Sequence, residues 1–126
     1  MEGRERDESA IREVARAYLE SWLDGDAERM GGALHPMLAK RGLDYAADSA
    51  PTGVHHLDAD HMIESAGRGP RRQFERTCEI TILDLADHVA SVKVVSEPFV
   101  DYLHLVKLDG RWSIVNALYE ARRVEG

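Results

Sequence analysis

Residues 88–119, HVASVKVVSEPFVDYLHLVKLDGRWSIVNALY, decide the architecture. Val89 to Val95, Phe99 to Lys107 and Arg111 to Tyr119 are rich in β-branched and aromatic residues, and Ser96-Glu97-Pro98 and Asp109-Gly110 separate them as turns. Three consecutive antiparallel strands follow from that pattern. Polar residues interrupt them at Asp101, Tyr102, His104 and Asn116. Asn116 is the sole asparagine and sits between Val115 and Ala117, where a buried amide without a partner costs about 1–3 kcal/mol. The spacing leaves two registers open. A two-residue turn at Asp109-Gly110 places Asp101, Leu103 and Leu105 on one face with Trp112, Ile114 and Asn116. A bulge at Gly110 brings Tyr102, His104 and Val106 to that face instead, and this register is preferred because it gathers three groups able to share hydrogen bonds.

Upstream, Ile11, Val14, Ala15, Tyr18, Leu19 and Trp22 recur at helical spacing, with Ser9 as the expected cap and Gly25 as the stop. Asp26 caps a second helix over 27–34, and His35-Pro36 ends it. Residues 42–57 read as a loop with at most a short strand. Asp58 opens a third helix over 59–66, and period-two alternation from Gln73 to Leu85 predicts a strand ahead of the other three. Three helices followed by a four-stranded antiparallel meander mean an α+β domain with helices on one face of a curved sheet.

A chain of 126 residues is one domain, 1–126, with 1–7 expected as a disordered tail. A formal charge of −7 speaks against nucleic acid and anionic membranes as partners. Arg68, Arg71, Arg72 and Arg76 read as a solvated turn rather than an anion site. No apolar run suits a membrane span or a signal peptide, so a cytoplasmic location is expected. Cys78, the single cysteine, reads as a small buried hydrophobe.

Several separated blocks, in order, resemble one known family. They are Tyr18-Leu19-Glu20-Ser21-Trp22, Gly25 to Met30, Leu34-His35-Pro36-Met37-Leu38-Ala39-Lys40-Arg41, Ala90 to Val95, Val100-Asp101-Tyr102-Leu103-His104-Leu105, Asp109-Gly110-Arg111-Trp112 and Ile114-Val115-Asn116. The chain resembles the nuclear transport factor 2-like (NTF2-like) superfamily, and within it the family labelled putative lumazine-binding. The resemblance implies a cone-shaped α+β fold with a pocket between sheet and helices, commonly dimeric through the sheet's outer face. No residue motif marks a pteridine site.

Candidate pocket residues are Tyr18 and Trp22 on the inward face of the first helix, His35 at a helix end, and Tyr102, His104 and Asn116 on the strands. Asp101 and His104 are the candidates for acid-base catalysis, since a carboxyl or imidazole in an apolar pocket has a shifted pKa. His55-His56-Leu57-Asp58-Ala59-Asp60-His61 holds five ligand-type side chains, but Asp58 is committed to capping and the spacing fits no helical metal motif. No metal and no cofactor are expected. The favoured reading is a homodimeric small-molecule-binding module. The alternative is a cofactor-free isomerase, dehydratase or cyclase.

Overall fold

The computed structural model describes residues 2–122. Its elements run α1 (Gly3–Asp24), α2 (Ala27–Ala33), β1 (Leu34–Tyr45), β2 (Pro51–Leu57), α3 (Ala59–Gly67), β3 (Cys78–Leu85), β4 (Val89–Ser96), β5 (Phe99–Leu108) and β6 (Arg111–Ala121). One six-stranded sheet has the order β2-β1-β6-β5-β4-β3. All neighbours pair antiparallel except β1 and β6, which run parallel. The chain is thus α+β with a curved mixed sheet and three helices. The expected succession of three helices and then a purely antiparallel meander is corrected, because a β1-β2 hairpin intervenes before α3.

α1 carries the stripe Ile11, Ala15, Tyr18 and Leu19, all buried. It ends where Gly25, at φ 79°, adopts the left-handed conformation that a Cβ disfavours and donates its N–H to the Ser21 carbonyl. The helix begins at Gly3, so the expected tail over 1–7 and the Ser9 cap are both displaced for the residues described. Asp7 explains the extension. Its carboxylate accepts from Trp112 Nε1 at 3.0 Å and pairs with Lys107 at 3.0 Å, which ties the first turns to the β5-β6 hairpin. Asp26 and Asp58 do cap α2 and α3, accepting from Arg29 N at 3.0 Å and His61 N at 2.9 Å.

Residues read as a loop form the β1-β2 hairpin. In β1 the inward positions are Leu38, Lys40 and Gly42, an aliphatic, a cation and no side chain, so the alternation that marks a strand is hidden. Gly42 stands where the Tyr119 ring crosses β1, and a Cβ there would collide with the ring.

Neither anticipated register describes the β5-β6 hairpin. Asp109 and Gly110 both have positive φ, 52° and 76°, as in a type I′ two-residue turn, and Leu108 faces Arg111. Leu105 therefore pairs with Ile114 beneath the helices. Between Leu105/Ile114 and His104/Asn116 the register shifts, and Val115 is the extra residue of a β-bulge in β6. Beyond it the parity reverses. Asn116 joins His104 and Tyr102 on the outer face, while Ala117 and Tyr119 take the inner one.

Candidate functional site

Cross-strand pairing lines up one inward row at the open end of the sheet: His55, Gly42, Tyr119, Asp101 and Val94. The next row holds Leu57, Lys40, Ala117, Leu103 and Val92. α1 and α3 roof these rows and leave a cavity of about 190 Å³. Its walls are apolar, built from Leu19, Trp22, Met30, Leu57, Met62 and Phe99, and its polar end holds Tyr18, Lys40, Asp101 and Tyr119.

Three side chains at that end form a relay. Lys40 Nζ donates to the Tyr18 hydroxyl at 2.6 Å, and that hydroxyl donates to Asp101 Oδ1 at 2.9 Å. Lys40 is 6% exposed, Tyr18 3% and Asp101 1%. Among the described residues no carboxylate forms an ion pair with Lys40. Its ammonium lies instead 4.4 Å from the Tyr119 ring centroid and 5.0 Å from that of Tyr18.

Burial sets the protonation chemistry, since charge is disfavoured away from water. It pulls Lys40 down to about 8, opposed by the Asp101 carboxylate. Burial raises Asp101, against the pull of Lys40 and the Tyr18 hydrogen bond. Tyr18 is pushed well above the usual phenol range by burial and then by Asp101. Tyr119 is raised by burial first and then by Asp101. An amine and a carboxyl with pKa values moved toward neutrality, joined by a phenol that stays protonated, can pass a proton between ends without forming a phenolate.

A second chain reaches the site from the surface. Asp44 Oδ1 lies 2.8 Å from His55 Nδ1, and His55 Nε2 lies 2.9 Å from the Tyr119 hydroxyl. An ionised carboxylate only accepts, so the His55 tautomer that satisfies both contacts donates from Nδ1 and accepts the Tyr119 proton at Nε2. Gly42 makes this reach possible by letting the ring lie over β1. On the helical side Arg71 is a clamp. Its guanidinium lies 4.1 Å from the Trp22 ring centroid and donates to the carbonyls of Trp22 and Ser65, both at 2.6 Å. Trp22 in turn packs on Phe74 and Phe99, with ring centroids 5.9 and 5.1 Å away.

The structure brings Tyr18, Trp22 and Asp101 to the cavity and leaves the other candidates outside it. His35 lies at the start of β1 rather than at a helix end and accepts locally from Met37 N at 3.0 Å. Tyr102, 47% exposed, lies on the outer face, where Asn116 Nδ2 donates to His104 Nδ1 at 3.2 Å. The grouping of His104 with Asn116 is thus present, but on the face opposite the cavity, and the bulge at Val115 is the reason. His55 and His61 are engaged with Asp44 and Asp58, and no cluster of three or more ligand-type side chains converges among the described residues. Sequence reasoning passed over Lys40 and Tyr119, and weighed His55 only as a metal ligand. The available signal was period-two spacing from Leu38 through Lys40 to Gly42, with a lysine at a position whose neighbours face inward.

Among curated proteins none matches the chain. Solved structures do. An NTF2-like protein of unknown function from Methylobacillus flagellatus is 28% identical, with a TM-score of 0.74 and 94% of each chain covered. One from Shewanella baltica is 18% identical, with a TM-score of 0.72, covering 98% of this chain and 100% of that one. A putative scytalone dehydratase from Novosphingobium aromaticivorans is 14% identical, with a TM-score of 0.60, covering 95% of this chain and 87% of that one. These last two likenesses show the fold alone. The family model described as "Putative lumazine-binding" matches residues 6–120, and the chain belongs to that family of the NTF2-like superfamily.

Proposed function

We propose that the chain is a small-molecule-binding protein whose cavity takes a compact, partly aromatic, carbonyl-bearing ligand, with Lys40 and Tyr18 holding the ligand oxygen. One observation carries the reading. A buried ammonium, with no ion pair among the described residues, faces a cavity whose walls are mostly apolar, and it lies at hydrogen-bonding distance from the Tyr18 phenol. Burying such a charge is costly unless something uses it, and ligand sites are mostly apolar with a few convergent polar groups. Stacking walls at Trp22 and Phe99 favour a planar body.

Titration with aromatic carbonyl compounds, lumazine among them, followed by tryptophan fluorescence tests this. A saturable change that weakens by about 1–3 kcal/mol in Lys40→Met is expected, the loss of one buried hydrogen bond. No saturable change with any compound at millimolar concentration would sink the reading.

The second reading, a cofactor-free isomerase, dehydratase or cyclase, is favoured by Asp101. Its buried carboxyl, raised in pKa and hydrogen-bonded by Tyr18, has the properties of an acid-base group. One fold relative is described as a putative scytalone dehydratase. Slow proton exchange of a bound ketone, abolished by Asp101→Asn, would separate this reading from simple binding.

The protein acts as a homodimer in the cytoplasm in this proposal, a second copy covering the outer face of the sheet. There Tyr102 pairs across strands with Leu118, which is 51% exposed. That row also holds Lys93 and Arg41, and the row beside it holds Glu79 and Glu120. A two-fold axis sets each basic row against the partner's acidic one.

A further inference from the structure

We infer that Lys40 is a carbonyl-capturing amine whose Nζ condenses with a small aldehyde or ketone in the cavity to form an imine, while the Tyr18 hydroxyl moves the protons. This rests on the binding reading above and goes beyond it by assigning a covalent bond to one atom. Three observations support it. Lys40 is buried yet lines the cavity, so a molecule reaches its Nζ from the cavity side. Among the described residues its side-chain hydrogen bond goes to the Tyr18 hydroxyl, and the Asp101 carboxylate, which favours the ammonium from a distance, is bonded to that phenol and forms no direct ion pair with the nitrogen. The surroundings are two aromatic rings and aliphatic walls, the desolvated setting in which lysine serves as a nucleophile.

The groups facing Nζ are Tyr18 from α1, Asp101 from β5 and Tyr119 from β6. Burial, opposed by the Asp101 carboxylate, brings Lys40 down to about 8, which leaves a working fraction of free amine near neutral pH. At about pH 8 the neutral fraction of such an amine is on the order of a hundredfold that of a lysine with the ordinary value near 10.4.

The chemistry balances with the groups present. The Nζ lone pair forms the C–N bond as the carbonyl π bond breaks, and the oxygen takes the Tyr18 proton. Tyr18 recovers a proton from the nitrogen, giving a neutral carbinolamine. Tyr18 then protonates the hydroxyl, which leaves as water while C=N forms, and the phenolic oxygen takes the nitrogen's proton in the same step. Amine and carbonyl become imine and water, with Asp101 orienting the phenol.

The test uses the whole chain, benzaldehyde and butanal as probes, and sodium cyanoborohydride to trap the imine. The chain has three lysines, so Lys93 and Lys107 are internal controls. Peptide mapping at about pH 8 should find Lys40 alkylated roughly tenfold or more faster than either, the fraction of free amine being the driver. Benzyl alcohol, which fills the same space without an electrophile, should suppress the labelling. In Tyr18→Phe the labelling of Lys40 should slow about tenfold, the scale of lost acid-base assistance, while Lys93 and Lys107 are labelled as in the wild type.

Equal labelling of the three lysines, or labelling that benzyl alcohol does not suppress, overturns the inference. If benzyl alcohol binds while Lys40 is not labelled preferentially, the imine falls and the binding reading stands. If neither probe nor alcohol interacts, both fall. The wild-type mapping decides the main claim without any variant.

Discussion

Replacing Lys40 with methionine should stabilise the protein at neutral pH, and the size of the effect follows from the site. The fold holds Lys40 at about 8 against an ordinary value near 10.4, and that difference is worth roughly 3 kcal/mol against the charged state. Methionine keeps the buried bulk and removes the charge, at the loss of about 1 kcal/mol for the hydrogen bond to Tyr18. A net gain of about 2 kcal/mol at pH 7 remains, or about 1 M in the urea midpoint for a chain of this size.

The pH dependence fixes the cause. Below about 8 the lysine is charged both folded and unfolded, and the full cost falls on the fold. Between about 8 and about 10.4 the unfolded chain binds the proton more than the folded one does, so wild-type stability rises with pH. The variant lacks that rise, and its advantage should shrink toward zero by about pH 9.5. Ionisation of Tyr18 and Tyr119 belongs to both proteins and cancels in the difference. Urea unfolding of both at equal chain concentration, at about pH 7 and 9.5, measures it. A variant less stable than wild type at pH 7, or an advantage independent of pH, would refute the argument.

Other expectations follow from the same geometry. Trp22→Ala removes the contacts to Phe74, Phe99 and Arg71 and should cost about 3 kcal/mol by chemical denaturation, the range for a large aromatic in a packed site. An unchanged midpoint would show that these rings do not support the helix. Gly42→Ala should cost about 1–3 kcal/mol through collision with the Tyr119 ring. Adding Tyr119→Ala should relieve that cost, and a strictly additive double variant would count against the collision. Leu118→Glu should yield a monomer by light scattering at tens of micromolar, roughly the range where an interface above about 1,000 Å² keeps a dimer. A wild type already monomeric there removes the dimer.

The helices, the last four strands and the two aspartate caps were legible because each rests on local periodicity or a local hydrogen bond. The β1-β2 hairpin was not. Lys40 faces inward for the sake of the cavity, and Gly42 is small for the sake of a ring brought by a strand 77 positions further on. Such requirements come from tertiary neighbours and leave no period in the sequence. Asp101 was recognisable as a carboxylate in an apolar strand, and Tyr18 as an inward phenol. Their joint use with Lys40 depends on three elements meeting, and nothing in any one of them announces it. Asn116 shows the converse. A polar residue in an apolar strand looked like a pocket wall, yet its partner is His104 on the other side of the sheet.

Val115 gives β6 two phases in one strand. From the turn to Ile114 the strand keeps time with the hydrophobic interior, and from Asn116 onward it keeps time with the site. What places Tyr119 over Gly42 is therefore the number of residues between turn and site, odd or even, and not where the odd one resides. A relative with a three-residue turn and an unbroken β6 would present the same tyrosine at the same spot. Such a relative has the same number of residues between Leu108 and Asn116, so it aligns without a gap, yet its residues from the turn to 114 would face the opposite side of the sheet.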